Sequence, residues 1–580
     1  MTVRRSYLGA VLIVAAATLA IPVAAGLQSG GPLFADAIYV NGHIVTMWGA
    51  RPVVEAIAVR GDRFVSAGTN AEVRALAGPA TAQIDLQGRT VLPGLEDSHT
   101  HPITAALSQR EGIVPVMRTI PDILAYIREL GPRTPPGRVI FVPKIYSTRL
   151  DERRYPTRYE LDEAAPTRPA MTDNGYGSVL NSAALTQLGI TRDTPEPANG
   201  KIIKDAKGEP TGLILGAPQL LGELRRQRTP THDDLVWALK AMQQKYSEAG
   251  LTSTIDRSEG AEALRVYQEL KAHGELTVRT TVTYVLTGQG TPAQVRQEVE
   301  RLPIVTGMGD EWVRVGPLKV FVDGGILIGT AYLREPYGEH TDIYGYKDPG
   351  YRGVLALPRE NLTALAKAAN DLGWQMTAHV TGGGALDALL DAYEAADREH
   401  PIAPRRFTVT HANFPDARAI ERATRMGVSF DSQPAWLHLD GPVIKDVFGA
   451  RMKDFLPLRS LLDAGVLVAG GSDHMVGFDA KNAINPFDPF FGMWMAITRQ
   501  GRTGEVLGGD QTVTREQALK MWTVNGAWLS SEESLKGSIE PGKLADFVVI
   551  SKDYLTCPVD DIKDIQALTT VVGGRVVYQR

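Results

Sequence analysis

VLPGLEDSHTHP, residues 91–102, runs from a short apolar stretch through Pro93-Gly94 into two histidines one residue apart, His99 and His101. Successive side chains on a strand face opposite sides, so Asp97, His99 and His101 share one face if the segment is extended. Two imidazoles on one face can converge on one metal ion; a solvated strand end is the plain alternative. The chain has 11 histidines in 580 residues. Two of them on so short a segment make the rest of the chain the arbiter.

Working outward, WVRVGPLKVFVDGG (312–325), GWQMTAHV (373–380), RRFTVTHA (405–412), MGVSFDSQP (426–434) and LLDAGVLVAGGSDH (461–474) read as apolar strands. Helical stretches such as GGALDALLDAYEAADREH (383–400) separate them, and LTSTIDRS (251–258) and RTTVTYVL (279–286) supply two earlier strands. Alternating strands and helices indicate parallel βα units. The count predicts an α/β (β/α)8 TIM barrel. His99 and His101 then end strand 1, Lys319 lies on strand 4, His379 ends strand 5, His411 ends strand 6 and Asp473 ends strand 8. In such a barrel the carboxyl ends of the strands form the catalytic face.

Both chain ends read differently. ADAIYVNGHIVTM (35–47), VVEAIAVRGDRFVSAGT (53–69) and TAQIDLQGRTVLPG (81–94) suggest short strands, the last a hairpin; GSIEPGKLADFVVISKD (537–553) and LTTVVGGRVVYQR (568–580) answer them. The expected organisation is a composite β-sandwich from 33–90 and 535–580, a barrel from 91–105 and 245–530, and an insertion over 106–244. That insertion is far too long for a loop and reads as a lid or substrate-shaping subdomain.

Net charge is −5, and no Lys/Arg block argues for nucleic acid as a partner. MTVRRSYLGAVLIVAAATLAIPVAAG reads as a signal peptide cut near Ala25, with Arg4-Arg5 resembling a twin-arginine signal. That implies a periplasmic or secreted protein with no stable membrane insertion after cleavage; an uncleaved anchor is the alternative. The only cysteine is Cys557, so an intrachain disulfide and a cysteine-based zinc site are both excluded. The sequence is compatible with a homo-oligomer.

The ordered pieces NGHIVTM, GRTVLPGLEDSHTHP, LKVFVDGG, THANFPDARAIERATRMGVSFDSQP, LRSLLDAGVLVAGGSD and GSIEPGKLADFVVI resemble the binuclear amidohydrolase superfamily, and within it amidohydrolase family 3, the branch that includes N-substituted formamide deformylase. The resemblance spans nearly the whole mature chain. It implies two divalent metal ions, zinc by preference, held by His99, His101, Lys319, His379, His411 and Asp473. Lys319 would bridge as a carbamate formed with carbon dioxide, because an ammonium has no lone pair; a buried amine beside cations is readily neutral. It further implies a metal-activated hydroxide and Asp473 as general base, then acid, toward a small-molecule amide, cyclic amide or N-acyl substrate.

Some positions depart from the family pattern. Gly383 stands where an Asp is usual, and Asn174 and Tyr176 stand where Asp and His are expected. The formamide activity is therefore not carried over. Further candidates for substrate contact are Tyr176, Asp323, Trp436, His438 and His474, although His474 as strand neighbour of Asp473 faces the other way and suits a structural role. An esterase, lactonase or deaminase on the same scaffold, or a non-catalytic binding protein, are the rival readings.

Overall fold

The computed structural model describes residues 34–197 and 200–580. The signal-peptide reading of residues 1–25 lies outside the described residues. No described helix is long and apolar enough to cross a membrane.

The core is an eight-stranded parallel sheet. In chain order its strands are β1 (Leu95–Thr100), β2 (Leu251–Glu259), β3 (Arg279–Val285), β4 (Val313–Phe321), β5 (Met376–Val380), β6 (Thr408–His411), β7 (Ser429–Ser432) and β8 (Val468–Gly470), each paired with its sequence neighbour. The first and last strands close the ring. Thr100 bridges His474 in parallel, Asp473 N–H donates to His99 C=O at 2.8 Å, and His101 N–H donates to His474 C=O at 2.9 Å. The fold is thus the (β/α)8 barrel. Alternation explains both faces of a strand: Met376, Ala378 and Val380 of β5 join the main apolar core, while Thr377 and His379 face the other way. On that other face the Thr377 and Thr410 hydroxyls, from β5 and β6, meet at 2.8 Å.

The chain ends form two further sheets. One has the order Arg63–Gly68, Ala56–Arg60, Ala35–Val40, Ala77–Asp85; the other has Arg575–Gln579, Ala567–Val572, Phe547–Ile550, Thr90–Pro93, His43–Val45, Val53–Val54. Tyr39, Ile57 and Phe64 from the first meet Phe547, Val549 and Val571 from the second in one apolar cluster. A buried ion pair, Arg279 Nε to Asp546 at 2.7 Å, fastens this unit to β3. The hairpin reading of 81–94 is corrected here. Ala77–Asp85 and Thr90–Pro93 lie in different sheets, because Gln87 (φ 51°) and Gly88 (φ 76°) turn the chain across the gap.

Between β1 and β2 the insertion carries its own five-stranded sheet, ordered Lys201–Lys204, Pro210–Leu215, Gly177–Leu180, Ala170–Asp173, Ile140–Pro143, with a separate apolar cluster around Met171, Leu180 and Ile214. The helix His232–Glu248 packs against Pro102–Leu107 and β2. It belongs whole to the barrel's outer ring, so a boundary at residue 244 cuts through an intact element.

Candidate metal centre

At the carboxyl rim of the barrel, His99 Nε2 and His101 Nε2 each stand 3.2 Å from the same oxygen, Oδ1 of Asp473. Lys319 Nζ lies 3.5 Å from His99 Nε2. The His411 ring stacks 4.8 Å from that of His99, and His379 packs edge-on 4.6 Å from His411. Residues from β1, β4, β5, β6 and the end of β8 therefore meet in one place. Burial, with the nearby Lys319 charge, drives the basicity of His99, His101 and His379 well below the usual imidazole range. These rings are neutral at physiological pH and keep a lone pair each.

The orientation of two of the rings, His99 and His411, is set by a buried side chain. Asp431 Oδ1 accepts from His99 Nδ1 at 3.2 Å, which aims the Nε2 lone pair at Asp473. Gln433 Oε1 accepts from His411 Nδ1 at 2.7 Å, and its amide donates to Asp431 at 2.9 Å. Arg257 Nη2 donates to the other Asp431 oxygen at 2.8 Å, and Thr410 adds a bond at 3.0 Å. Such partners fix the tautomer and raise the ligand strength of a metal-binding histidine. None of these four was singled out from the sequence, yet SFDSQ places Asp431 and Gln433 two apart, as HTH places its histidines.

Two groups of carboxylate and imidazole atoms are close enough to share a cation: His99, His101 and Asp473, and His99, His411 and Asp431. A neutral imidazole lone pair 3.2 Å from a carboxylate oxygen is repulsive on its own. Two of them converging on one carboxylate fit a cation, and a set of nitrogen and oxygen donors suits a divalent metal ion. His379 stands beside these groups. Its Nε2 donates to Gly324 C=O at 3.1 Å, and both ring nitrogens lie 3.2 Å from the Tyr176 hydroxyl.

Burial and the Arg257 charge bring the Lys319 amine down to about 8. Burial raises Asp473 to about 6 and Asp97 to about 7. Asp97 is turned away from the histidines that share its strand face: it accepts the backbone N–H of His99 and of Ser472, both at 3.0 Å, tying β1 to the end of β8.

A cavity of about 700 Å³ opens over this rim, lined by His101, Lys319, His379, His411, Asp473 and Tyr176 among others. Tyr176, Asp323 and Trp436 belong to its wall, with Trp436 stacked 5.0 Å from His411. Asp323 accepts three backbone N–H bonds, from Tyr332, Thr381 and Gly382, which makes it a brace for the β5 loop. Two of the candidate contacts do not belong to the cavity wall. His438 bonds Gln500 C=O at 2.8 Å and packs on Phe491 and Trp494, outside the cavity wall. His474 is fully buried between Tyr246 and Phe487, bonded to the Tyr246 hydroxyl at 3.1 Å, because it faces the opposite side from Asp473.

The backbone is strained around the cavity. His411 (φ 72°), Asp473 (φ 54°), Ser258 (φ 81°) and Lys144 (φ 52°) all line it in the left-handed region. Each such residue costs about 1–3 kcal/mol, and such strain clusters at functional sites.

The comparisons agree with this geometry. N-substituted formamide deformylase of Arthrobacter pascens is 30% identical over 94% of this chain and 98% of its own. YtcJ of Bacillus subtilis (strain 168), provisionally named an amidohydrolase, is 28% identical over 94% and 99%. In fold, an uncharacterized metal-dependent hydrolase from Pyrococcus horikoshii OT3 superposes with a TM-score of 0.68 at 23% identity, covering 90% of this chain and 99% of the other. A family model described as the amidohydrolase family matches residues 82–578, and the chain belongs to that family.

Proposed function

We propose that the chain is an exported, binuclear metal-dependent hydrolase that cleaves the C–N bond of an amide, cyclic amide or N-acyl compound. The observation that carries this reading is the convergence of His99 and His101 on one oxygen of Asp473 at 3.2 Å. His99, His101 and Asp473 would hold one divalent ion, and His379 and His411 the second, with Lys319 bridging as a carbamate. Two such ions, when bound, polarise a scissile carbonyl and acidify water.

The side chains supply the rest. Asp473 takes a proton at its carboxylate and returns it to the leaving nitrogen. Tyr176 places a hydroxyl at the cavity wall beside His379, where it can donate to a substrate oxygen. Asp431 and Gln433 hold the ring orientations through the cycle. The cavity of about 700 Å³ suits a small molecule. A C–N bond is favoured because the relatives named for a reaction are named for hydrolysis of such bonds.

The test is metal analysis of the purified chain together with a turnover screen of N-acyl amino acids, cyclic ureas, formamides and lactones. The expected result is about two ions per chain and turnover of a C–N substrate. One ion would reject the binuclear centre, and turnover of lactones alone would replace the bond assignment.

A further inference from the structure

The part of the cavity wall that the insertion contributes carries a cation that the metal chemistry does not use. Lys144 follows the insertion strand Ile140–Pro143 and lines the same cavity as His101 and Asp473. Its ammonium has three donors. One reaches Asn174 C=O at 3.2 Å, and no other acceptor and no carboxylate pairs with it among the described residues. The neighbouring Arg225 is already neutralised, with Nη2 3.0 Å from Asp173. The Arg225, Gly175 N–H and Ser178 hydroxyl bonds all fall on Asp173 Oδ1, and the Asp173 charge reaches Lys144 without forming an ion pair with it.

The backbone is built to present this group. Lys144 sits at φ 52°, held there by its N–H bond to Asp173 C=O. Gly175 leaves room for the amine: a β-carbon there would lie 3.2 Å from Nζ. A lysine in a backbone region that disfavours it, with its charge half withdrawn from water and unpaired, is stabilised when an anion arrives. Burial lowers its basicity, and it lines one small cavity together with His101 and Asp473. Phe321, Ile326, Leu327 and Trp436 give the remaining wall an apolar character.

We propose that Lys144 is the carboxylate-binding residue of the substrate site, so that the preferred substrate is an N-acyl amino acid with an apolar side chain. This rests on the C–N hydrolase reading above.

The test uses the full-length chain loaded with zinc, titrated calorimetrically with N-acetyl-L-leucine and with N-acetyl-L-leucinamide. A charge-assisted contact predicts that the carboxylate binds about tenfold or more tighter than the neutral amide. Lys144→Met brings the two to parity, and Lys144→Arg retains part of the preference. Lys144→Gly relaxes the left-handed backbone and removes the same charge, so its parity guards against misfolding of the methionine variant. Equal binding by the unaltered chain, no binding of either compound, or a preference that survives Lys144→Met and Lys144→Gly overturns the proposal. Cleavage reports separately. Hydrolysis of both compounds without preference keeps the hydrolase and rejects the anion site; a carboxylate preference without hydrolysis of any C–N substrate does the reverse.

Discussion

The two walls of the cavity are built on different principles. On the barrel wall the ligand candidates lie at or near strand ends, all but His101 are buried, and the His99 and His411 rings are set by Asp431 and Gln433, themselves buried. On the insertion wall Lys144, Asn174 and Tyr176 sit on loops after the short strands Ile140–Pro143 and Ala170–Asp173, and Lys144 has a single weak partner. A closed barrel holds its rim rigid because every strand is paired on both sides, whereas loops on a separate sheet can change without disturbing it. The barrel wall therefore suits chemistry that needs fixed geometry, and the insertion wall suits selection among substrates.

The sharpest break of this contrast comes from the ligands. His99→Ala and Asp473→Asn should each abolish turnover, by about a thousandfold or more, if each removes a donor needed to hold and use the metal. Metal content measured alongside should fall in His99→Ala; turnover preserved in either variant would reject the assigned roles. A smaller effect is expected one layer out. Asp431→Asn should weaken metal affinity about 10–100-fold, because His99 loses its orienting carboxylate. Metal titration followed by mass spectrometry checks this, and unchanged affinity would make Asp431 a partner of Arg257 only.

The smallest effect belongs to the insertion. Thr157 caps the helix Arg158–Ala164 in a reciprocal box with Glu160, whose carboxyl is held down to about 2 by the Arg154 guanidinium first and by the Thr157 bonds. Its folded value is depressed from 4.5, so its stabilisation is present above pH 4.5 and is lost as pH falls through about 2. Hydrogen exchange of the Arg158–Ala164 amides, taken relative to its intrinsic rate at each pH, should quicken over that window and slow again on return. Thr157→Ala should quicken it at neutral pH, by the ~1 kcal/mol typical of a lost cap. The same measurement on β5 and β6 should show no change, which is what separates the two walls.

Much of the barrel was legible because its signals are local. Apolar runs that end in a polar residue mark parallel strands and their carboxyl ends, and HTH needs only a period of two to be read. Asp431 and Gln433 carry the same period and were passed over, since a ring-orienting carboxylate resembles any polar residue on a strand until its imidazole partner is known. His438 and His474 are related cases, of which only the strand alternation at His474 was readable from the sequence. Both sit close in sequence to the site, but helix phase and strand alternation point them into aromatic packing.

By itself the sequence determined the βα succession, the residues at the strand ends and the strand content of the two termini. Each follows from periodicity and turn chemistry within a few residues. Only the tertiary structure decided that β1 and β8 join, that Ala77–Asp85 and Thr90–Pro93 part into different sheets, that His379 turns to Tyr176, and that Lys144 lines one cavity with the metal ligands. Those outcomes depend on contacts between segments far apart in the chain, whose energies no local pattern contains.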